Sequence, residues 1–484
     1  MKRLGEATLS DLPADITRPG YDRAAIRIGI VHFGPGAFHR AHQAFYVDRM
    51  LAHDPGLAIS AVSLRSDTVR AALAPQDGLY ALVEREAGPS IRIIGSIREV
   101  LTAPADPQAV FARLTDPAVR LVSATVTEKG YGLTPGGDLD LDHPDICSDL
   151  ADPTAPQTLV GWLVEGLRRR RANGAGGLIA LSCDNLSGNG AKLRAASLRF
   201  ADARGEADLA RWIDGEVRFP DSMVDSITPA TDNALRAETA ARLGLEDAWP
   251  IQRERFVQWV VGEGLGAEAA TFAGAGVTLT GDVAAFERAK LRLLNGAHST
   301  LAYVGLRLGH ETVAEAMADP RLAAFIETLM RADIAPLLGP TPGLEPDAYI
   351  SAILARFRNP AIVHRLSQIA WDGSQKLPVR LLSSIAEARA QGRPVDRLAV
   401  GLAAWMVFVR QQRRLGQHLV DPLAPELAKV DRACTGQASD VGHFLALRAI
   451  FPAELAADPV LRTAIETAYV RLSGANPLTA IEPR

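Results

Sequence analysis

Lys290, Asn295 and His298 lie five and three residues apart in the stretch Phe286-Glu287-Arg288-Ala289-Lys290-Leu291-Arg292-Leu293-Leu294-Asn295-Gly296-Ala297-His298. On an α-helix of about 3.6 residues per turn they fall at about 0°, 140° and 80°, sharing one broad face. Leu291, Leu294 and Ala297 interleave with them, while Arg288 and Arg292 point away. The three types are an amine that can exchange a proton, an amide that donates hydrogen bonds, and an imidazole that can donate or accept. The same spacing suits a snorkelling lysine, an asparagine beside a helix break at Gly296 and a satisfied core histidine. Spacing alone leaves both readings open, and the surrounding chain has to weigh them.

Upstream, residues 25–33 read as a buried parallel strand broken by Gly34-Pro35-Gly36, followed by a helix over 37–51 and a second strand over 58–64. This is a βαβ unit, and the amides at the helix start could receive a pyrophosphate. The glycine pattern is partial, because His39 stands where the third glycine of a GxGxxG fingerprint belongs. Asp67 follows the second strand, where an acid accepts from the adenosine ribose and favours NAD, whereas Arg65 keeps NADP open. Strands are expected over 79–85, 91–97, 120–127 and 177–182, with a helix over 157–171. The alternation argues a mostly parallel sheet covered by helices on both faces. Strand ends and their loops deliver Glu128-Lys129, Asp184-Asn185 and Asp225. Each is, taken singly, an ordinary turn acid, Asx-turn or helix cap.

Beyond about residue 283 helical periodicity dominates. The expected organisation is therefore α/β: a Rossmann-like dinucleotide-binding domain over 1–283, then a mostly α-helical substrate and catalytic domain over 284–484. The Lys290 helix lies near that boundary, where a substrate cleft would close.

A chain of 484 residues is long enough for two large cores. A net charge of −4 with 22% charged residues carries no basic surplus, which disfavours nucleic acid. No signal-like N-terminus or apolar run of about 18 residues is present, so a cytoplasmic protein without membrane partners is expected. The three cysteines form no CxxC pair and are expected as thiols. His39 and His42 lack a third ligand close by, so no metal is expected.

Lys290-x4-Asn295-x2-His298 combines with Gly34-Pro35-Gly36-Ala37-Phe38-His39-Arg40-Ala41-His42-Gln43, Thr127-Glu128-Lys129-Gly130-Tyr131, Ser182-Cys183-Asp184-Asn185 and Phe219-Pro220-Asp221-Ser222-Met223-Val224-Asp225. This ordered set, over nearly the whole chain, resembles the mannitol dehydrogenase family of polyol-specific long-chain dehydrogenases. The resemblance implies a metal-independent nicotinamide enzyme with Lys290 as general acid/base. Asn185 and Asn295 would donate to the reacting oxygen and His298 would orient substrate hydroxyls. Phe33, Gly34, Gly36, Ala37, Phe38, Arg65, Asp67 and Glu128 are the candidate cofactor contacts, and a monomer or small homo-oligomer is expected. A base near neutral pH requires the Lys290 ammonium to lose its proton well below the ordinary value of about 10.4, which desolvation favours. Glu287 opposes this if it touches the ammonium. The resemblance implies a proton-relay role for it, and an i,i+3 pair worth roughly a few tenths of a kcal/mol is the alternative.

Lys129 stands where mannitol dehydrogenases tend to have glycine. Arg356-Phe357-Arg358-Asn359-Pro360, His364-Arg365 and Gln368 to Pro378 look like the fructuronate reductases, which interconvert D-fructuronate and D-mannonate. A sugar acid is best held by a cation, and Lys129, Lys376 and Arg365 are candidates, with Asp225 also expected in the pocket. Ser226 and Arg255 depart from the family pattern and keep a polyol such as D-mannitol or D-arabinitol as the alternative substrate. A non-enzymatic sugar-binding protein would be expected to have lost Lys290 or the asparagine pair, and all three are present.

Overall fold

Among the described residues eleven strands are formed: β1 Ile28–Phe33, β2 Ala58–Ser63, β3 Tyr80–Arg85, β4 Ser90–Ile94, β5 Ile97–Thr102, β6 Leu121–Ala124, β7 Ile179–Ser182, β8 Ser222–Asp225, β9 Ile251–Glu254, β10 Gln258–Val261 and β11 Thr278–Leu279. They were located in a computed structural model, which describes residues 1–86, 88 and 90–482. The chain divides into two compact units, Met1–Ala284 and Ala285–Arg484.

In the first unit β5-β2-β1-β6-β7 form a parallel sheet, with strand order reversing between β1 and β6. Alternating side chains of its central strands enter two different cores. Ile30, Leu121 and Leu181 join one, and Val31, Phe33, Val122 and Ala180 the other. Helices therefore have to cover both faces, which explains the near-continuous apolar strands. Two smaller sheets, β4-β3-β9 and β11-β10-β8, complete the unit. Asp225 ends β8, which pairs antiparallel with β10 and stands outside the parallel sheet.

Three expected elements are altered by tertiary contacts. The single strand over 91–97 is two strands in different sheets, because the Gly95 amide donates to the buried Asp48 carboxylate (2.9 Å) and Ser96 Oγ donates to the Ala44 carbonyl (2.8 Å). The helix over 37–51 breaks at His42 into α1, Ala37–Ala41, and α2, Gln43–Met50. The Tyr80 hydroxyl donates to the Arg40 carbonyl (2.7 Å) and the Arg253 guanidinium to the Ala41 carbonyl (3.0 Å), while the Phe45 amide turns to the His42 carbonyl.

The third change falls on the catalytic candidates. Val283–Ala289 is α-helical, Lys290–Gly296 is a π-helix, and Ala297–Leu308 is α-helical again. In a π-turn the bonding runs i to i+5, so five residues come closer to one full turn, and Lys290 and Asn295 fall nearer each other around the axis than the about 140° of an α-helix. Gly296 lies against a second π-helix, Pro378–Leu382, so closely that a Cβ would come within 2.7 Å of the Arg380 carbonyl. The second unit is otherwise built around the long helix Asp396–Arg414, buried from Leu398 to Arg410 and packed against Ala297–Leu308 and Pro459–Ser473.

Candidate active site

At the strand-order reversal of the first unit, Gly34 leaves β1 with φ +87°, and a Cβ there would lie 2.2 Å from the Thr125 carbonyl. Only glycine fits. Next to it opens a cavity of about 440 Å³ lined by Gly34, Pro35 and Gly36, by Ser63 to Ser66, and by Thr125 to Thr127, Lys129 and Thr158. Exposed glycine backbone, the unpaired first-turn amides of α1 and several hydroxyls at a topological switch point suit a dinucleotide.

Gly34, Gly36 and Arg65 line this cavity as candidate cofactor contacts. Phe33 is sealed in a core, and Ala37 and Phe38 pack against the other core, with Phe38 stacked on His42 at 5.0 Å. Glu128 is exposed and outside the lining. Asp67 is also outside it. Its carboxylate accepts from Arg70 Nε (2.6 Å) and from the Thr102 hydroxyl (2.6 Å), because it directly precedes the helix Thr68–Leu73 and forms an i,i+3 pair.

His32 supports the Gly34 turn from beneath. The Thr125 hydroxyl donates to the Gly34 carbonyl (2.7 Å), so it accepts from His32 Nε2 (3.0 Å), which leaves Nδ1 to accept from Ser123 (2.8 Å). Burial pushes the His32 pKa down to about 3, so the ring is neutral. His39 stacks on it at 3.4 Å and is likewise held well below its ordinary range by burial, then by His32. Among the described residues no group of three or more metal-ligating side chains is found.

Lys129 is an exposed wall residue of the cavity, Asn185 is exposed after β7, and Asp225 is buried at the end of β8. His143, Gln157 and Thr158 also line the cavity without a sequence signal pointing to them. Thr127, at φ +67° and ψ 162°, occupies backbone space that is essentially reserved for glycine.

In the second unit Lys290 and Asn295 are half-buried on the π-helix, with Glu287 half-buried on the preceding turn. His298 Nε2 is fully buried without a hydrogen-bond partner among the described residues. Its ring stacks on Phe357 (5.0 Å) and meets His364 edge-on (4.8 Å). Burial first, then His364, Arg380, Arg356 and Lys376, hold the His298 pKa well below its ordinary range, so the imidazole is neutral. Arg380 donates to Ser299 Oγ (3.0 Å). Lys376 donates to the Trp371 carbonyl (2.6 Å), held there by a turn in which Asp372 adopts φ +55° and Asp421 accepts from the Ser374 amide (2.8 Å). Burial, then Arg380, lowers the Lys376 pKa. Arg365, by contrast, is exposed. Sequence reasoning missed Arg380, which lies beyond the motif that pointed to Lys376.

The mannitol dehydrogenase Rossmann domain pattern matches residues 28–271, and the mannitol dehydrogenase C-terminal domain pattern matches residues 282–473. The chain belongs to the mannitol dehydrogenase family. D-mannonate oxidoreductase of Escherichia coli K12 is 38% identical over 476 residues, covering 96% of this chain and 97% of that protein. Among solved structures, substrate-free D-sorbitol dehydrogenase superposes with a TM-score of 0.92 at 34% identity, covering 99% of this chain and 100% of that one. The ternary complex of Pseudomonas fluorescens mannitol 2-dehydrogenase with NAD and D-mannitol superposes with a TM-score of 0.81 at 35% identity, covering 99% and 98%. As a mannitol dehydrogenase family member the chain is an NAD(P)-dependent secondary-alcohol dehydrogenase. No helix among the described residues is long and apolar enough to cross a membrane.

Proposed function

We propose that this enzyme interconverts D-fructuronate and D-mannonate. The observation that carries the reading is the set of cations whose charges act on His298: Arg356, Lys376 and Arg380. Asp372 and Asp421 offset part of the charge on Lys376, and an anionic ligand offsets the repulsion among the cations that remains. A sugar acid brings such an anion, whereas a polyol does not. The D-mannonate oxidoreductase relative, matched along nearly its full length, supports the same class.

The nicotinamide, when bound, supplies or accepts the hydride. Lys290 exchanges the proton of the reacting oxygen, and Asn295, one π-turn away, donates a hydrogen bond to it. Asn185 is assigned the same donor role on its motif, and Glu287 a proton relay to Lys290. Neutral His298 is assigned the orientation of substrate hydroxyls on its motif. Lys376 or Lys129 meets the carboxylate, with Arg380 as the added candidate; exposed Arg365 is the weakest of the set. Cytoplasmic location and a monomer or small homo-oligomer belong to the same proposal.

The polyol reading is supported by the D-sorbitol and mannitol 2-dehydrogenase structures. Nicotinamide absorbance separates the two, with fructuronate and fructose offered to chelator-treated protein in turn, using NADH and NADPH. Fast turnover of fructuronate that is lost in Lys290→Ala supports the sugar-acid reading. Preference for fructose, or full activity on fructuronate after changing Lys129 and Lys376 together to Met, overturns it.

A further inference from the structure

Asp184 directly precedes Asn185, and its carboxylate reaches backward across the sheet edge. Oδ1 accepts from the Thr127 amide (2.9 Å), and Oδ2 accepts from the Val126 amide (3.0 Å) and the Tyr131 hydroxyl (2.8 Å). Because the Tyr131 hydroxyl donates to Asp184, it accepts from Ser182 Oγ (2.5 Å). The backbone of the same loop is tied forward by Asn189, whose Nδ2 donates to the carbonyls of Asp184 (3.1 Å) and Ser222 (2.8 Å), while its Oδ1 accepts from the Ser222 amide (2.9 Å). One carboxylate and one amide thus fasten three chain segments: the turn after β6, the loop after β7 and the start of β8.

This arrangement holds something that would otherwise move. Thr127 lines the dinucleotide cavity in a conformation that is strained for a non-glycine residue, and its amide is one of the two that Asp184 binds. Relaxation of that turn would change the wall that Thr127 and Lys129 give the cavity.

We infer that Asp184, with Tyr131 and Asn189, is a positioning latch: it keeps the strained Thr127 turn in its dinucleotide-binding shape and fixes the loop bearing Asn185 by the same bonds. The effect on Asn185 rests on the donor role proposed above. The effect on the dinucleotide does not, and it is the one to test.

The experiment is a double-mutant cycle on NADH affinity, read by fluorescence titration without any sugar. In Asp184→Asn the side-chain nitrogen faces the donor amide of Val126 or of Thr127, so one anchor becomes a repulsive contact. NADH binding is expected to weaken about tenfold. Thr127→Gly removes the strain, so the same Asp184→Asn change in that background is expected to cost less than about twofold. Tyr131→Phe, which keeps the buried ring and deletes only the hydroxyl, repeats the cycle where Asp184→Asn does not fold, with a smaller loss that again shrinks in the Thr127→Gly background. A general weakening of the fold would cost the same with or without Thr127. Equal losses in the two backgrounds, or no loss at all, overturn the inference.

Discussion

Two clusters, one in each unit, hold their polar groups in opposite ways. In the first, the Asp184 carboxylate is surrounded by neutral donors, two amides and a hydroxyl, and what the bonds fix is shape. In the second, Arg380 and Lys376 donate to neutral acceptors, and their charges bear on one another and on His298. A carboxylate held by neutral donors stores geometry, whereas cations gathered around a neutral ring keep charge available. The first arrangement suits a constant ligand such as a cofactor. The second suits a variable one recognised by its charge.

Lys290→Ala gives the sharpest separation. Turnover should fall by roughly 10²–10⁴-fold while NADH still titrates the protein, as followed by absorbance and fluorescence. Loss of both together would mean that the two units do not divide the work. Gly34→Ala is the complementary break: a Cβ within 2.2 Å of the Thr125 carbonyl should cost about 1–3 kcal/mol of stability and most NADH affinity, visible in a melt and a titration. Unchanged NADH binding would show that the Gly34 turn does not shape the cofactor site.

Arg380→Met tests the charge on the other side of the comparison. KM for fructuronate should rise about tenfold or more, the worth of a charge-assisted bond, with little change for fructose. Equal effects on both sugars would make Arg380 a packing residue. The last prediction concerns pH. His32, His39, His298 and His364 all have folded pKa values below the ordinary one, each chiefly through burial. The unfolded chain therefore takes up protons below about pH 6.5 that the folded chain refuses, so stability is intact above that pH and is lost as pH falls, by up to about 1.4 kcal/mol per unit for each histidine. Urea melts between pH 7.5 and 5.5 read this directly. His298→Asn should flatten the slope, and an unchanged slope would mean that His298 is not held neutral.

The π-helix shows where sequence reading reached its limit. Residue types and the order of motifs pointed to Lys290, Asn295 and His298, yet α-helical geometry placed the first two about 140° apart. The wider turn ends at Gly296, which meets the Arg380 backbone from more than 80 residues away in the chain. The helix over 37–51 went the same way, since its break is made by Tyr80 and Arg253 taking two carbonyls.

By itself the sequence determined the α/β alternation, the change to helical periodicity near residue 283, the Gly34 turn and the family motifs, because each is written in local residue type and short spacing. Tertiary structure alone decided the π-turn under Lys290, the pairing that draws Asp67 to Arg70 and Thr102, the strain at Thr127 and the Asp184 latch, and the place of Arg380 among the cations near His298. Those are matters of which distant groups meet. Hydrogen bonds and charges act through space, so the chain has to fold before they have partners.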